Sequence, residues 1–289
     1  MYSQIDSNKR KTTILILIFV MLIIAIGWAL DVYYGGGYAI VVGAMVISII
    51  MTLVSYYKGD KIALRSTGAK ETTKEADPYV YRMVENMAIT AGIPTPKVYI
   101  IDSPAMNAFA TGRDPEHASI AVTKGIVKAL ENEELEGVIA HEMSHIKNFD
   151  IRLMTIVVVL VGTISLISNW FFRARFYGGG KRDNKAGGWI ALVGLALLIL
   201  SPIIAKLIQL AISRKREYLA DASGSLLTRY PEGLARALEK ISKSSALPSA
   251  SRATAHLFIS NPLKEKKISK FFSTHPPAED RINKLRGMA

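Results

Sequence analysis

Cysteine is absent from the 289 residues of the chain. That excludes disulfides and requires any metal site to be built from nitrogen and oxygen ligands. Histidine is scarce, with 5 in the chain, and acidic residues are outnumbered, 24 against 36 basic, for a formal net charge of +12. Such an excess can signal nucleic acid. Here much of it flanks long apolar runs, where an anionic lipid surface is the partner it fits, so no nucleic-acid partner is expected. Charge is missing altogether from Thr12 to Leu30, Val32 to Tyr57, Leu153 to Phe172 and Ala186 to Ala205. Each run reaches the roughly 20 residues that cross a bilayer core. Their lack of ionisable groups argues against a transporter or channel, which generally needs such groups at mid-membrane depth. Lys206, the nearest, can snorkel to the interface.

Four such runs predict an integral membrane protein with its spans in two hairpins. The first follows Lys9, Arg10 and Lys11, but it is too long for a signal peptide and lacks a small-residue cleavage site. It reads as a retained anchor. Lys58, Lys61 and Arg65 follow the second run, Lys147 and Arg152 precede the third, and Arg214, Lys215 and Arg216 follow the fourth. Two hairpins put all of these on one side, the cytoplasm by the positive-inside rule. Arg173, Arg175, Lys181, Arg182 and Lys185, between the third and fourth runs, break that rule. The depth of the second hairpin therefore stays open. The expected units are residues 1–57, an N-terminal hairpin; 58–152, the first part of a soluble domain; 153–212, a second hairpin; and 213–289, its second part.

Outside the spans the pattern is that of a small α+β unit. Lys58 to Asp77 reads as a polar connector without periodicity. Asp77-Pro78 opens a helix whose Val80, Met83, Val84, Met87, Ala88 and Ala91 recur at helical spacing, a core face. Lys97 to Ile101, Asn107 to Gly112 and Ala118 to Val122 read as short strands, the last two around the turn at Asp114-Pro115. A short helix with Ile126, Val127 and Leu130 follows. Further helices are expected over Arg214 to Leu227, where Ser201-Pro202 kinks the preceding span, over Pro231 to Ser242, and beyond Pro277 through Ile282 and Leu285.

Between the strands and the third span stands His141-Glu142-Met143-Ser144-His145. The preceding Asn132-Glu133-Glu134 and the apolar residues after it read as a capped, buried helix. Two imidazoles four residues apart on a helix project only about 40° apart, one turn above the other, so both can ligate one ion. Glu142, beside the metal, can then act as the base that takes a proton from an attacking water. A structural site would close every position with protein ligands and need no base, which argues against an inert scaffold. A catalytic site needs a third protein ligand. The remaining histidines are His117, beside Glu116 in a turn and read as a surface residue; His256, at the edge of an apolar run and read as structural; and His275, ahead of two prolines at a helix start. Among carboxylates Glu217 stands out, with Asp221 one turn further on the same helix face. Glu217 can hold a metal while Asp221 accepts the free ring N–H of a ligating histidine. Both can equally be a solvated helix end paired to a neighbouring Arg. His275 or Tyr218 can supply the hydrogen bond to a developing oxyanion, and the sequence does not choose between them. Asn107, Ala108, Phe109 and Ala110 read either as ordinary sheet or as an exposed edge strand that pairs with an extended substrate.

His-Glu-Met-Ser-His followed by Ile-Lys-Asn-Phe-Asp, and Ser213-Arg-Lys-Arg-Glu-Tyr-Leu-Ala-Asp221 after a hydrophobic hairpin, resemble the HtpX family of membrane zinc endopeptidases, relatives of the CAAX prenyl endopeptidases. The resemblance extends to Asn107-Ala-Phe-Ala-Thr-Gly112, His256-Leu-Phe-Ile-Ser-Asn-Pro262 and Ser273-Thr-His-Pro-Pro277. It implies zinc ligands at His141, His145 and Glu217, a general base at Glu142 and cytoplasmic access. It also implies polypeptide substrates, in quality control of damaged or misfolded membrane proteins. The expected architecture is α+β: a mainly helical, multi-pass protein of a prokaryotic inner membrane. It has four transmembrane helices and a zincin-like catalytic domain with a small antiparallel sheet.

Overall fold

A computed structural model describes residues 2–177, 214–251, 253–262 and 276–288. The chain opens with two long helices, α1 (Tyr2–Tyr34) and α2 (Ala39–Ser66), which pack as a hairpin. Its turn is closed by Asp31, whose carboxylate accepts the backbone N–H groups of Tyr38 and Ile40 at 2.8 and 3.0 Å. Both helices are long and apolar enough to cross a membrane. Leu17, Met21, Trp28, Ile47, Ile50 and Leu53 stand exposed along them, an apolar surface suited to lipid. At 33 and 28 residues the helices are about 50 and 42 Å long, more than the hydrocarbon layer needs. Their surplus lies at one end and enters the domain. Helix α2 thus runs on to Ser66, through what the sequence reads as a polar connector.

The sheet has four strands in the order β1 (Ala69–Glu71), β2 (Lys97–Ile101), β4 (Ala118–Thr123), β3 (Ala108–Gly112). The sheet is mixed, not antiparallel as expected. β4 folds back on β3 as a hairpin and inserts beside β2, with which it runs parallel from Lys97↔Ser119 to Ile101↔Thr123. Strand β1 pairs antiparallel with β2 and has no counterpart in the sequence reading, because a three-residue strand with two exposed positions shows no periodicity. Strands β3 and β4 are buried at every residue. One face, with Ala108, Ala110, Ile120 and Val122, packs on α3 (Pro78–Ala91) and α5 (Asn132–Lys147). The other, with Phe109 and Ala121, meets Ala63 and Leu64 of α2 and Met154 and Val158 of α6 (Asp150–Tyr177). Sequence alternation is weak here because neither face meets water.

Helix α4 (Lys124–Ala129) leads from the sheet to α5, which runs through the centre of the domain. Its N-cap is Glu131, not Asn132: the Glu131 N–H donates to the Glu134 carboxylate at 2.9 Å. Helices α7 (Arg214–Thr228) and α8 (Pro231–Ser242) pack against it, and α9 (Ala278–Arg286) packs on both of these. The first turns of α6 pack through Leu153, Ile156, Val157 and Leu160 on Leu15 and Phe19 of α1. The fourth apolar run, most of the basic loop before it, the kink at Ser201-Pro202 and His275 lie outside the described residues.

Candidate metal centre

Helix α5 presents His141 and His145 on one face, as their spacing dictates, with ring centroids 4.8 Å apart and planes at 87°. Helix α7 crosses beside them. The crossing is close because Gly224 has no side chain: a Cβ there would lie 2.9 Å from the His141 backbone N and 3.1 Å from its Cα. Glu217 and Asp221 lie two turns and one turn before Gly224 on α7, so the contact aims both at the histidines. One ligand atom from each of His141, His145 and Glu217 falls within 4.8 Å of the others, and all three residues are buried.

Each histidine is held by a carboxylate at its Nδ1. Asp221 Oδ1 is 3.0 Å from His141 Nδ1, and Asp150 Oδ2 is 3.1 Å from His145 Nδ1. With both Nδ1–H groups donating outward, both Nε2 lone pairs turn inward, where they stand 3.2 Å apart. Glu217 adds its oxygens at 3.8 Å from His141 Nε2 and 3.6 Å from His145 Nε2. Two imidazole nitrogens and a carboxylate converging on one point call for a positive charge among them, a proton on one ring or a metal cation. Two nitrogens on a tetrahedral zinc lie about 3.3 Å apart, given Zn–N bonds near 2.05 Å, so the observed spacing fits the ion. The donor set, two imidazoles and one carboxylate, is of the kind that leaves a fourth position open.

The electrostatics point the same way. Burial alone opposes protonation of His145, but Asp150 and Glu217 outweigh it and hold its pKa up to about 9. That negative field is what a cation would feel. For His141 burial prevails, and its pKa is lowered despite Asp221. Asp221 is 2% exposed, yet Arg281 and His141 overcome its burial and bring its pKa down to about 2. Burial pushes the Glu142 carboxyl up to about 7. That carboxylate accepts the backbone N–H of Ala110, while Oε1 is buried with no hydrogen-bond partner among the described residues. A base with one oxygen held and the other free has the arrangement proton transfer requires.

Three further residues complete the site. Arg281 on α9 is 2% exposed; its Nε and Nη2 grip Asp221 at 2.9 and 2.6 Å, and Nη1 donates to the Ile259 carbonyl at 2.9 Å. Its signal in the sequence is an arginine on the same helix face as inward Leu285, four residues on. Asp150 lies beyond the end of α5. Phe149 adopts φ 60, a left-handed conformation that costs a non-glycine residue about 1–3 kcal/mol, and so turns Asp150 back toward His145. Arg216 Nη1 reaches Asp150 Oδ1 at 3.4 Å.

The other residues singled out by sequence fall elsewhere. Tyr218 is half-buried, and the Lys284 ammonium stands 3.3 Å from its ring centroid. One residue past Glu217, it projects about 100° away from the metal ligands. His117 is exposed and bonds to Asp114 at 2.6 Å, while His256 is buried with Nε2 3.1 Å from the Met154 carbonyl. Asn107 to Ala110 do not form an exposed edge. Strand β3 is the sheet's edge but is buried, and three of its outward groups are taken: the Ala108 carbonyl by the Ile259 N–H at 3.0 Å, the Ala110 N–H by Glu142, and the Gly112 N–H by the Thr155 hydroxyl at 3.1 Å. The Asn107 side chain donates to the Ser260 carbonyl at 3.0 Å.

The model of Peptidase family M48 matches residues 74–289. The chain is similar to a protein described as Protease HtpX homolog from Dictyoglomus turgidum, 46% identical over 288 residues, covering 99% of this chain and 94% of that protein. A Protease HtpX homolog from Streptococcus uberis is also 46% identical, over 296 residues and the full length of both. Among solved structures, the crystal structure of S. mikatae Ste24p shares the fold with a TM-score of 0.50 at 20% identity. That match covers 99% of this chain and 66% of the Ste24p chain. With the family matched over residues 74–289 and relatives matched over nearly their full length, the chain belongs to peptidase family M48 and is a membrane-bound metalloendopeptidase.

Proposed function

We propose that the chain is a zinc endopeptidase of a prokaryotic inner membrane, multi-pass, with its site open to the cytoplasm. Residues 58–152 and 213–289 form its protease domain. Zinc is favoured by the two-imidazole, one-carboxylate donor set and its spacing. His141, His145 and Glu217 hold the ion; when bound, it supplies Lewis-acid polarisation and makes water a competent nucleophile at neutral pH. Glu142 takes a proton from the attacking water as the new C–O bond forms, then returns it to the amine as the C–N bond breaks. Asp221 and Asp150 hold the two rings in the tautomer that turns Nε2 inward. Arg281 offsets the negative charge of Asp221, Glu217 and Glu142. Of the two oxyanion candidates, Tyr218 projects away from the ligands, which favours His275.

The observation that carries this reading is the convergence of His141, His145 and Glu217 next to a base with an unpartnered oxygen. Cytoplasmic placement rests on the basic residues Lys9, Arg10, Lys11, Lys58, Lys61 and Arg65 at one end of the α1–α2 hairpin. Damaged or misfolded membrane proteins as substrates, and a quality-control role, rest on the resemblance to HtpX proteases. The test is Glu142→Gln in the full-length protein, assayed on an unfolded polypeptide with and without a chelator. Hydrolysis should fall by at least about a thousandfold with zinc retained. Wild-type turnover in that variant would overturn the mechanism.

A further inference from the structure

Helix α1 enters the interior of the protein before it enters its apolar run. Asn8 is 3% exposed, and its Nδ2 donates to Asp150 Oδ1 at 2.7 Å and to the Asn148 carbonyl at 3.0 Å. The Asn8 carbonyl in turn accepts the Thr12 hydroxyl at 2.9 Å, and Thr12 is itself buried. The next residue, Lys9, places its ammonium 4.8 Å from the centroid of the Phe149 ring. Two consecutive residues of α1 therefore grip the turn Asn148-Phe149-Asp150, where the strained Phe149 needs outside support to persist. The other oxygen of Asp150 is the one beside His145 Nδ1. Asn8 contacts Oδ1 at 2.7 Å, closer than Arg216 at 3.4 Å.

We propose that Asn8 is a positioning residue of the metal site, so that the membrane anchor is a working part of the active centre and not only a tether. By donating to Oδ1 it fixes the Asp150 carboxylate, which fixes the tautomer and tilt of His145. The chain Asn8–Asp150–His145 spans a step of 142 positions in sequence without leaving hydrogen-bond distance. Asn8 lies outside residues 74–289, the part matched by the family model. The inference rests on His145 being a metal ligand.

The test uses full-length protein in detergent, loaded with zinc, and measures zinc transfer to a competing chelator alongside kcat and KM. Asn8→Leu removes the donor at similar volume, and Asn8→Asp replaces it with a carboxylate that repels Asp150 Oδ1. Both should weaken zinc retention by about tenfold, the lower end of what loss of a partner to a metal-binding histidine produces. The activity loss should fall on kcat, with KM unchanged. Asn8→Gln, which keeps the amide donor, should recover part of the loss. In an Asp150→Ala background Asn8→Leu should add nothing, since its route to the metal is already cut. Wild-type zinc retention in both Asn8→Leu and Asn8→Asp would overturn the proposal, as would an undiminished effect of Asn8→Leu in the Asp150→Ala background. If wild type and His145→Ala hold zinc equally, the assignment of His145 falls first, and this inference with it.

Discussion

His141 and His145 stand one turn apart on the same helix, yet the side chains behind them come from opposite ends of the fold. His141 is backed by Asp221 and Arg281, a carboxylate gripped by two guanidinium nitrogens at 2.9 and 2.6 Å, both from the C-terminal helices. His145 is backed by Asp150, which is held by neutral Asn8 of the anchor helix at 2.7 Å and more loosely by Arg216. The ionic side lies in the protease domain's own core, between α7 and α9. The amide side lies where the domain meets the membrane helices. Burial, helped by the Arg281 charge, lowers the pKa of His141 despite Asp221, whereas Asp150 and Glu217 together overcome burial and raise that of His145 to about 9. One imidazole is thus tied to the rigidity of the domain, the other to the seating of the anchor.

The sharpest way to break that comparison is Arg281→Met. It leaves Asp221 a buried charge with the His141 ring N–H but no cation beside it, and should cost about 3–5 kcal/mol of stability, read as a lowered Tm in detergent. Asp150→Asn should cost far less stability, because no full ion pair of that quality is lost. Equal Tm losses would show that the two supports are alike. Next in size, Asp221→Ala and Asp150→Ala should each lower zinc affinity or turnover by about 10–100-fold while leaving membrane insertion intact. A variant of either residue with wild-type turnover and zinc retention would remove it from the site. The smallest effect concerns the crossing that brings α7 to α5. Gly224→Ala puts a methyl 2.9 Å from the His141 backbone N and should cost about 1–3 kcal/mol through overpacking, with a proportionate loss of activity as Glu217 shifts. Unchanged thermal stability and turnover would mean that α7 moves freely and does not set the position of Glu217.

The same contrast explains which parts of the site were legible in the sequence. Helical periodicity carries the His141/His145 pair and the Glu217/Asp221 pair, because both lie on regular helix faces at a spacing of four. It also carries the core stripe of α3, buried at Val80, Met83, Val84, Met87, Ala88 and Ala91. Periodicity fails where the chain leaves the helix. Asp150 follows a left-handed Phe149, so counting residues from His145 does not place it. Asn8 lies in a basic flank that reads as a membrane boundary, and nothing local points to a partner beyond position 140. Arg281 is a charged residue on a short polar helix, which reads as solvated until Asp221 is placed beside it. The parallel pairing of β2 with β4 is a matter of which strand inserts where, which strand composition does not encode. The partners on the outer side of β3, Ile259, Glu142 and Thr155, are all distant in sequence.

The measurement that bears most directly on the metal centre is elemental analysis of purified full-length protein, in wild type, Glu142→Gln and His145→Ala. The convergence of two imidazoles and one carboxylate predicts about one zinc per chain in wild type and in Glu142→Gln, and little in His145→Ala. Full zinc occupancy in His145→Ala, or loss of zinc from Glu142→Gln, would contradict the division of the site into ligands and base.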